Sequence, residues 1–359
     1  MYFELKQSAQ PAKKNFDFVD SIRCIAMMGI VMEHSTYTGT YIFSGFPATH
    51  IAYMSLIQIP KFGTAAFFIL AGFLLGSKFV DYTPAQYLKR RMSNTLIPWL
   101  IWSLVFVGTM FLKTYIESDK TLAFDTWAEL ANVFKTVYLY TNYWFIINFL
   151  ICIAVLLIFK RYLYSIGLGV GLFLVSLVYS VNIYQHWFIQ QHTTAIFGFV
   201  FFLWLGAQLN YRWEQVQSWI DTVPYWIVGS FIIISFYFSI SEIVLLFKLK
   251  SIDPFNTLRV SNIVYSLLAI LLLLKIKDFN FTKYFKPRET TFGIYLVHYI
   301  VVYNLLGELL RPLHLPPTQT LSIVALVGIS LLRFFIVYAI SFVIVTLINK
   351  SKSKWIIGR

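Results

Sequence analysis

DSIRCIAMMGIVMEH, residues 20–34, reads as the heart of a membrane-spanning helix with charge inside it. Eleven positions separate Arg23 from His34. At ~100° per residue they accumulate ~1100°, about 20° past three full turns, so both side chains share one face. Asp20, Met27 and Ile30 join them at helical spacing. A rise of ~1.5 Å per residue places the guanidinium and the imidazole roughly 16 Å apart along the helix. Charged and titratable groups at that depth are costly, so by default they mark a substrate or proton path. The plainer alternative is an arginine that snorkels to the headgroups and a histidine that bonds a neighbouring helix.

Composition places this helix in a bundle. The chain is 58% hydrophobic, 19% aromatic and 13% charged, with a mean hydropathy of +0.69. Soluble domains average about 25% charged residues, so a polytopic membrane protein is expected, with the lipid bilayer as its main partner. The net charge of +13 comes from short basic clusters between apolar runs, which is the pattern of cytoplasmic loops and argues against a nucleic-acid partner. Cys24 and Cys152 both fall within apolar segments, so neither a disulfide framework nor a metal site is expected. Asp20, Arg23, Glu33 and His34 make the first apolar segment a retained span rather than a cleaved signal peptide.

Apolar stretches of spanning length fall near residues 18–37, 62–80, 95–112, 143–159, 163–182, 193–210, 223–246, 259–275, 291–310 and 320–348. The expected architecture is therefore an all-α bundle of about ten transmembrane helices over residues 18–348. A polar segment, 1–17, precedes it and a short tail, 349–359, follows it. The longest connection, roughly 113–142, is too short for an appended catalytic module. With the N-terminus inside, inner segments hold 19 Lys and Arg against 8 on the outer side, and Arg23 and Arg333 lie within spans. That bias puts both termini in the cytoplasm, Arg23 near the inner end of the first helix and His34 in its outer half. Lys61 and Arg259 count as outer-loop residues in this scheme, as does His50.

Lys89, Arg90 and Arg91, in YLKRRMSNTLIPW at 87–99, form a basic cluster on Arg23's side. Three such residues before a span are ordinary topology determinants, but beside Arg23 they can also form a phosphate-binding rim, since guanidinium binds phosphate bidentately. Taken in order, Asp20-x-x-Arg23 followed by ten residues and then His34, FFILAGFLLG at 67–76, YLKRRMSNTLIPW, YWFIINFL at 143–150 and FGIYLVHYIV at 292–301 resemble the acyltransferase-3 family of integral membrane acyltransferases over nearly the whole chain. Two departures stand out. Ala71 occupies a position where many relatives carry serine, and Asn94 one where they often carry a second arginine.

The resemblance implies a catalytic His34, with Arg23 its motif partner. It also implies transfer of an acyl group, usually acetyl from acetyl-CoA, to an extracytoplasmic or lipid-linked carbohydrate hydroxyl, and a bacterial inner-membrane location. Acyl-CoA phosphates would then dock on Arg23, Arg90 and Arg91, with Asp20 orienting Arg23 one helical turn away. His34 would serve as general base or carry the acyl group transiently; sequence leaves both open. Trp144 and Asn148, at i and i+4, could line an acceptor path, although an interfacial anchor is favoured for Trp144, and His298, which matches the family's last motif, could join that path or make an interhelical hydrogen bond. Glu33 projects ~100° from His34 and is expected to face another helix or the outer interface. His186 and His192 flank an aromatic loop with no acidic residue nearby in sequence, so an interfacial role is favoured over a ligand role. Arg333 is expected to pair with an internal carboxylate or carbonyl. The competing reading is a transporter or exporter without covalent chemistry, in which Arg23 and His34 would bind substrate or couple protons.

Overall fold

The computed structural model describes residues 16–37, 45–76, 83–117 and 127–359. Among them there is no strand. The helices are α1 (Asp17–Thr36), α2 (Ala48–Gln58), α3 (Gly63–Gly76), α4 (Pro84–Arg91), α5 (Ile97–Glu117), α6 (Trp127–Tyr140), α7 (Trp144–Ile158), α8 (Ile166–Gln185), α9 (Val200–Tyr211), α10 (Trp213–Thr222), α11 (Tyr225–Lys248), α12 (Val260–Ile276), α13 (Pro287–Ile300), α14 (Gly307–Leu310) and α15 (Ile323–Lys350).

Each of the ten expected apolar stretches coincides with a helix, but ten independent spans are not established. Among the described residues six helical runs are long and apolar enough to cross a bilayer, and α6 with α7, bent by 61°, gives a seventh if the pair is one span. α1 is disqualified by its own charges, while α9 and α12 are too short. α8, α11 and α15 leave most of their apolar surface uncovered, as lipid-facing helices do.

α1 sits at the centre. Asp17 and Asp20 in its first turn and His34 in its last suit the helix dipole. One side of it joins a core with α3, α7, α9 and α12 through Phe18, Ile22 and Ala26; the other joins α5, α13 and α15 through Met27 and Val31. α3 and α9 cross with backbones in contact, because a Cβ on Gly72 would lie 1.9 Å from the Leu203 carbonyl oxygen, and one on Gly206 equally close to that of Ile69. Only glycine permits that approach.

α2 corrects the expected outer loop. Ala48–Gly76 runs as one helical stretch, interrupted by a 3-10 turn at Ile59–Phe62 where Pro60 withholds a backbone N–H. His50 is therefore helical and buried, its Nδ1 on the Gly45 carbonyl at 2.9 Å, and Lys61 is buried inside the bundle. Arg259 is also no loop cation. It is fully buried, bonded to Gln58 Oε1 at 2.6 Å, the Ser239 carbonyl at 2.9 Å and the Asn256 carbonyl at 3.1 Å.

The expected C-terminal tail is docked as well. Ile357 is buried, Trp102 donates to the Ile356 carbonyl at 3.0 Å, and Arg359 pairs with Glu289 at 3.2 Å.

Candidate functional site

α1 places Arg23 and His34 in the wall of one cavity of about 360 Å³, with Ile30 between them, as the helical period requires. Its basic end is built by Arg23 from α1, Arg91 from α4 and Arg288 from α13. Asp20 binds two of these three: Arg23 Nη1 lies 3.3 Å from one carboxylate oxygen and Arg288 Nε bonds the other. Arg91 donates through Nε to the Tyr87 hydroxyl at 2.9 Å, with its guanidinium over that ring. Three guanidinium groups thus line this end of the cavity, two of them held by one carboxylate and the third by a tyrosine. The middle of the cavity is apolar, walled by Phe67, Leu70, Ala71, Leu74, Phe145 and Phe149. Asn94 and Thr95 line it from a π-helical turn, Met92–Leu96, and Gly358 closes it from the docked C-terminal segment. A π turn exposes backbone and side chains at a spacing an α-helix does not offer.

A second cavity of about 410 Å³ reaches His34 from the opposite end of α1, where Tyr37, Tyr140, Gln191, Asp253 and Phe255 line it. The two share Glu33, His34, Asn142, Trp144 and His192. His34 therefore stands at the waist between them.

The hydrogen bonds of His34 define which of its ring nitrogens keeps a lone pair. His298 on α13 is fully buried; its Nδ1 lies 3.0 Å from the Ile294 carbonyl oxygen and 2.9 Å from that of Tyr295. Carbonyls only accept, so Nδ1 of His298 carries the proton. In the neutral ring Nε2 is then an acceptor, and it lies 2.9 Å from His34 Nδ1. His34 must donate there, which leaves its Nε2 with the lone pair. The same Tyr295 carbonyl accepts from Asn142 Nδ2 at 2.8 Å, and Tyr295 donates back to the Asn142 carbonyl at 2.6 Å. These bonds strap the α6–α7 bend to α13, and the bend in turn delivers Asn142 and Trp144 to the waist.

Glu33 forms a salt bridge with Lys61, two charges that neutralise each other inside the bundle. His192 has the acidic partner that sequence proximity hid. Its Nδ1 lies 2.6 Å from Asp253 Oδ2, and its backbone N–H donates to the same oxygen at 3.1 Å. Burial raises the Asp253 carboxyl, but His192, these hydrogen bonds and Lys61 outweigh it and hold the group below its ordinary value.

Several sequence expectations meet here and others do not. Arg23, Arg91, Trp144 and His34 line the first cavity. Asp20 and His298 reach it through Arg23 and His34, respectively. Arg90 belongs to α4, and its side chain lies outside the described residues. Asn148 is no path residue: it is buried and donates to the Ala195 carbonyl at 3.3 Å, stapling α7 to the segment before α9. Arg333 does not fulfil the expected pairing at Nε, which is buried with no hydrogen-bond partner among the described residues. Arg288, Asn142 and Asp253 were not singled out by sequence, which read Lys61 as an outer-loop residue and His192 as an interfacial one.

The family described as an acyltransferase domain matches residues 16–356, nearly the whole chain. No curated protein and no solved structure matches it.

Proposed function

Because the chain belongs to the acyltransferase-3 family and is a multi-pass membrane acyltransferase, we propose that it moves an acyl group, acetyl in the simplest case, from cytoplasmic acyl-CoA to a hydroxyl of an extracytoplasmic or lipid-linked carbohydrate. The observation that carries this reading is the pair of cavities meeting at His34. A transferase whose donor and acceptor lie on opposite sides of a bilayer needs two approaches to one reactive group.

The first cavity suits the donor. Arg23, Arg91 and Arg288 offer charge-assisted, bidentate hydrogen bonds to the phosphates of CoA, with Asp20 holding two of them in register. The apolar middle suits a slender pantetheine arm, and the roughly 16 Å rise from Arg23 to His34 is of the order of its extended length. The second cavity suits the acceptor. Aromatic faces at Tyr37, Trp144 and Phe255 provide stacking surface, and its charged groups are paired with one another. At the waist, His34 Nε2 is the nitrogen that acyl transfer needs, whether it removes a proton from the acceptor or receives the acyl group. In this reading the basic end faces the cytoplasm, as the loop charges suggest, and the membrane is the bacterial inner membrane.

Purified protein in nanodiscs tests the proposal by acetyl-CoA binding and turnover. We expect His34→Ala to bind acetyl-CoA and to lose turnover, and Arg23→Gln to weaken binding. A folded wild-type protein that binds no CoA thioester would sink the reading and leave solute transport as the better account of the two cavities.

A further inference from the structure

His192 and Asp253 form a dyad at the waist that the assignment of His34 does not use. His192 lines both cavities, in a short turn at His192–Thr194, with the Trp144 ring edge-on at 5.4 Å. Asp253 holds Nδ1 at 2.6 Å, so the ring nitrogen left to the cavities is Nε2. His34 and His192 thus present the same device twice: an imidazole whose Nδ1 is occupied by a partner and whose Nε2 is available. The partners differ. His34 donates to a neutral imidazole anchored on two backbone carbonyls, whereas His192 donates to a carboxylate, which stabilises an imidazolium once it forms.

We propose that the two histidines divide the reaction into two displacements, with His34 carrying the acyl group and His192, positioned by Asp253, acting as the acceptor-side base. This rests on the acyl-transfer reading above and deepens it. In the first displacement His34 Nε2 attacks the acyl carbon, an N–C bond forms, and the C–S bond breaks. The thiolate departs into the basic cavity, while the His34 Nδ1 proton crosses to His298 Nε2 and leaves a neutral acyl-imidazole. The second displacement needs another base, because the acylated Nε2 no longer has a lone pair. The acceptor hydroxyl gives its proton to His192 Nε2, its oxygen bonds to the acyl carbon, and the N–C bond breaks. The proton held by His298 returns to His34 Nδ1, and His192 passes its own to the thiolate. One ester and one thiol result.

Other groups at the waist are unsuited to the second step. His298 has both nitrogens engaged and lines neither cavity. Glu33 is neutralised by Lys61, and the Lys61 ammonium has no lone pair to offer.

The two displacements separate experimentally when water is the only acceptor. Exchange of isotope-labelled CoA into acetyl-CoA reports the first; acetyl-CoA hydrolysis requires both. Wild type should show both reactions, and His34→Ala neither. His192→Ala should keep exchange within about threefold of wild type while hydrolysis falls about 100-fold, the size of effect expected on removing a general base. His192→Gln should behave like His192→Ala while preserving volume, and Asp253→Asn should lower hydrolysis about tenfold with exchange intact. Acetyl-CoA binding by each variant certifies its fold. The inference is overturned by wild type that hydrolyses without exchange, by His192→Ala that hydrolyses like wild type, or by His192 variants that bind acetyl-CoA yet lose both reactions equally. Wild type that binds no acetyl-CoA instead overturns the function on which the inference rests.

Discussion

The two cavities differ in how their charge is settled. At the basic end Asp20 engages two of the three guanidinium groups and Tyr87 holds the third, so the lining there is cationic and suited to an anionic ligand. In the second cavity the charges come in matched pairs, Glu33 with Lys61 and His192 with Asp253. An unbalanced site recruits an ion and is weakened by salt; a balanced site presents polarity without demanding a counter-ion. One helix, α1, supplies Arg23 to the first and Glu33 to the second, so the contrast is created within three turns of a single element.

That contrast can be broken at its shared point first. Removing the imidazole in His34→Ala should reduce transfer by at least about 100-fold in steady-state assays, with binding of acetyl-CoA retained. Preserved turnover would mean that the waist is not where the cavities do their chemistry. Upsetting the balanced side comes next. Lys61→Met leaves Glu33 buried and unpaired and should cost about 3–5 kcal/mol, read as a lower Tm, and adding Glu33→Gln should recover most of the loss. If the single variant is as stable as wild type, the pair is not a neutralising one.

Weakening the unbalanced side should be milder and specific to the donor. Arg23→Gln or Arg91→Gln should raise KM for acetyl-CoA about tenfold, with a small change in kcat, and should flatten its dependence on salt; equal salt dependence in wild type and variant would count against a phosphate rim. The smallest effect sharpens the balanced side. Because the Asp253 carboxyl is held below its ordinary value, its contribution to stability is present above about pH 4 and disappears as pH falls through the lowered value. The Tm difference between wild type and Asp253→Asn should therefore shrink on acidification below about pH 4, and a constant difference would contradict the pairing.

How much of this was legible in the sequence follows from how far apart the cooperating residues lie. Arg23, Ile30 and His34 could be placed on one face because a helix repeats every ~3.6 residues and all three share it. Apolar runs located the helices for the same local reason. The Glu33–Lys61 pair was missed because Pro60 made its segment look like a loop, although a 3-10 turn carries the chain through. His192 and Asp253 are 61 positions apart, on either side of α9, α10 and α11, and no local pattern joins them. His298 was visible as a motif, but its effect on the His34 tautomer depends on backbone carbonyls that no side-chain reading supplies. Asn148 misled because i, i+4 spacing specifies a shared face and not what that face meets.

The narrow waist has an electrical consequence. Two cavities that reach toward opposite ends of α1 and share His34, Trp144 and His192 in their walls would form a conduit if they became continuous. A charge crossing a polarised bilayer releases about 2.3 kcal/mol per 100 mV, so an open bore would dissipate the cell's ion gradients with every excursion. In the proposed function those shared side chains must therefore insulate the bundle as well as host the chemistry. Paring Trp144 down to alanine should appear as ion or proton leak across proteoliposomes, separately from any change in acyl transfer.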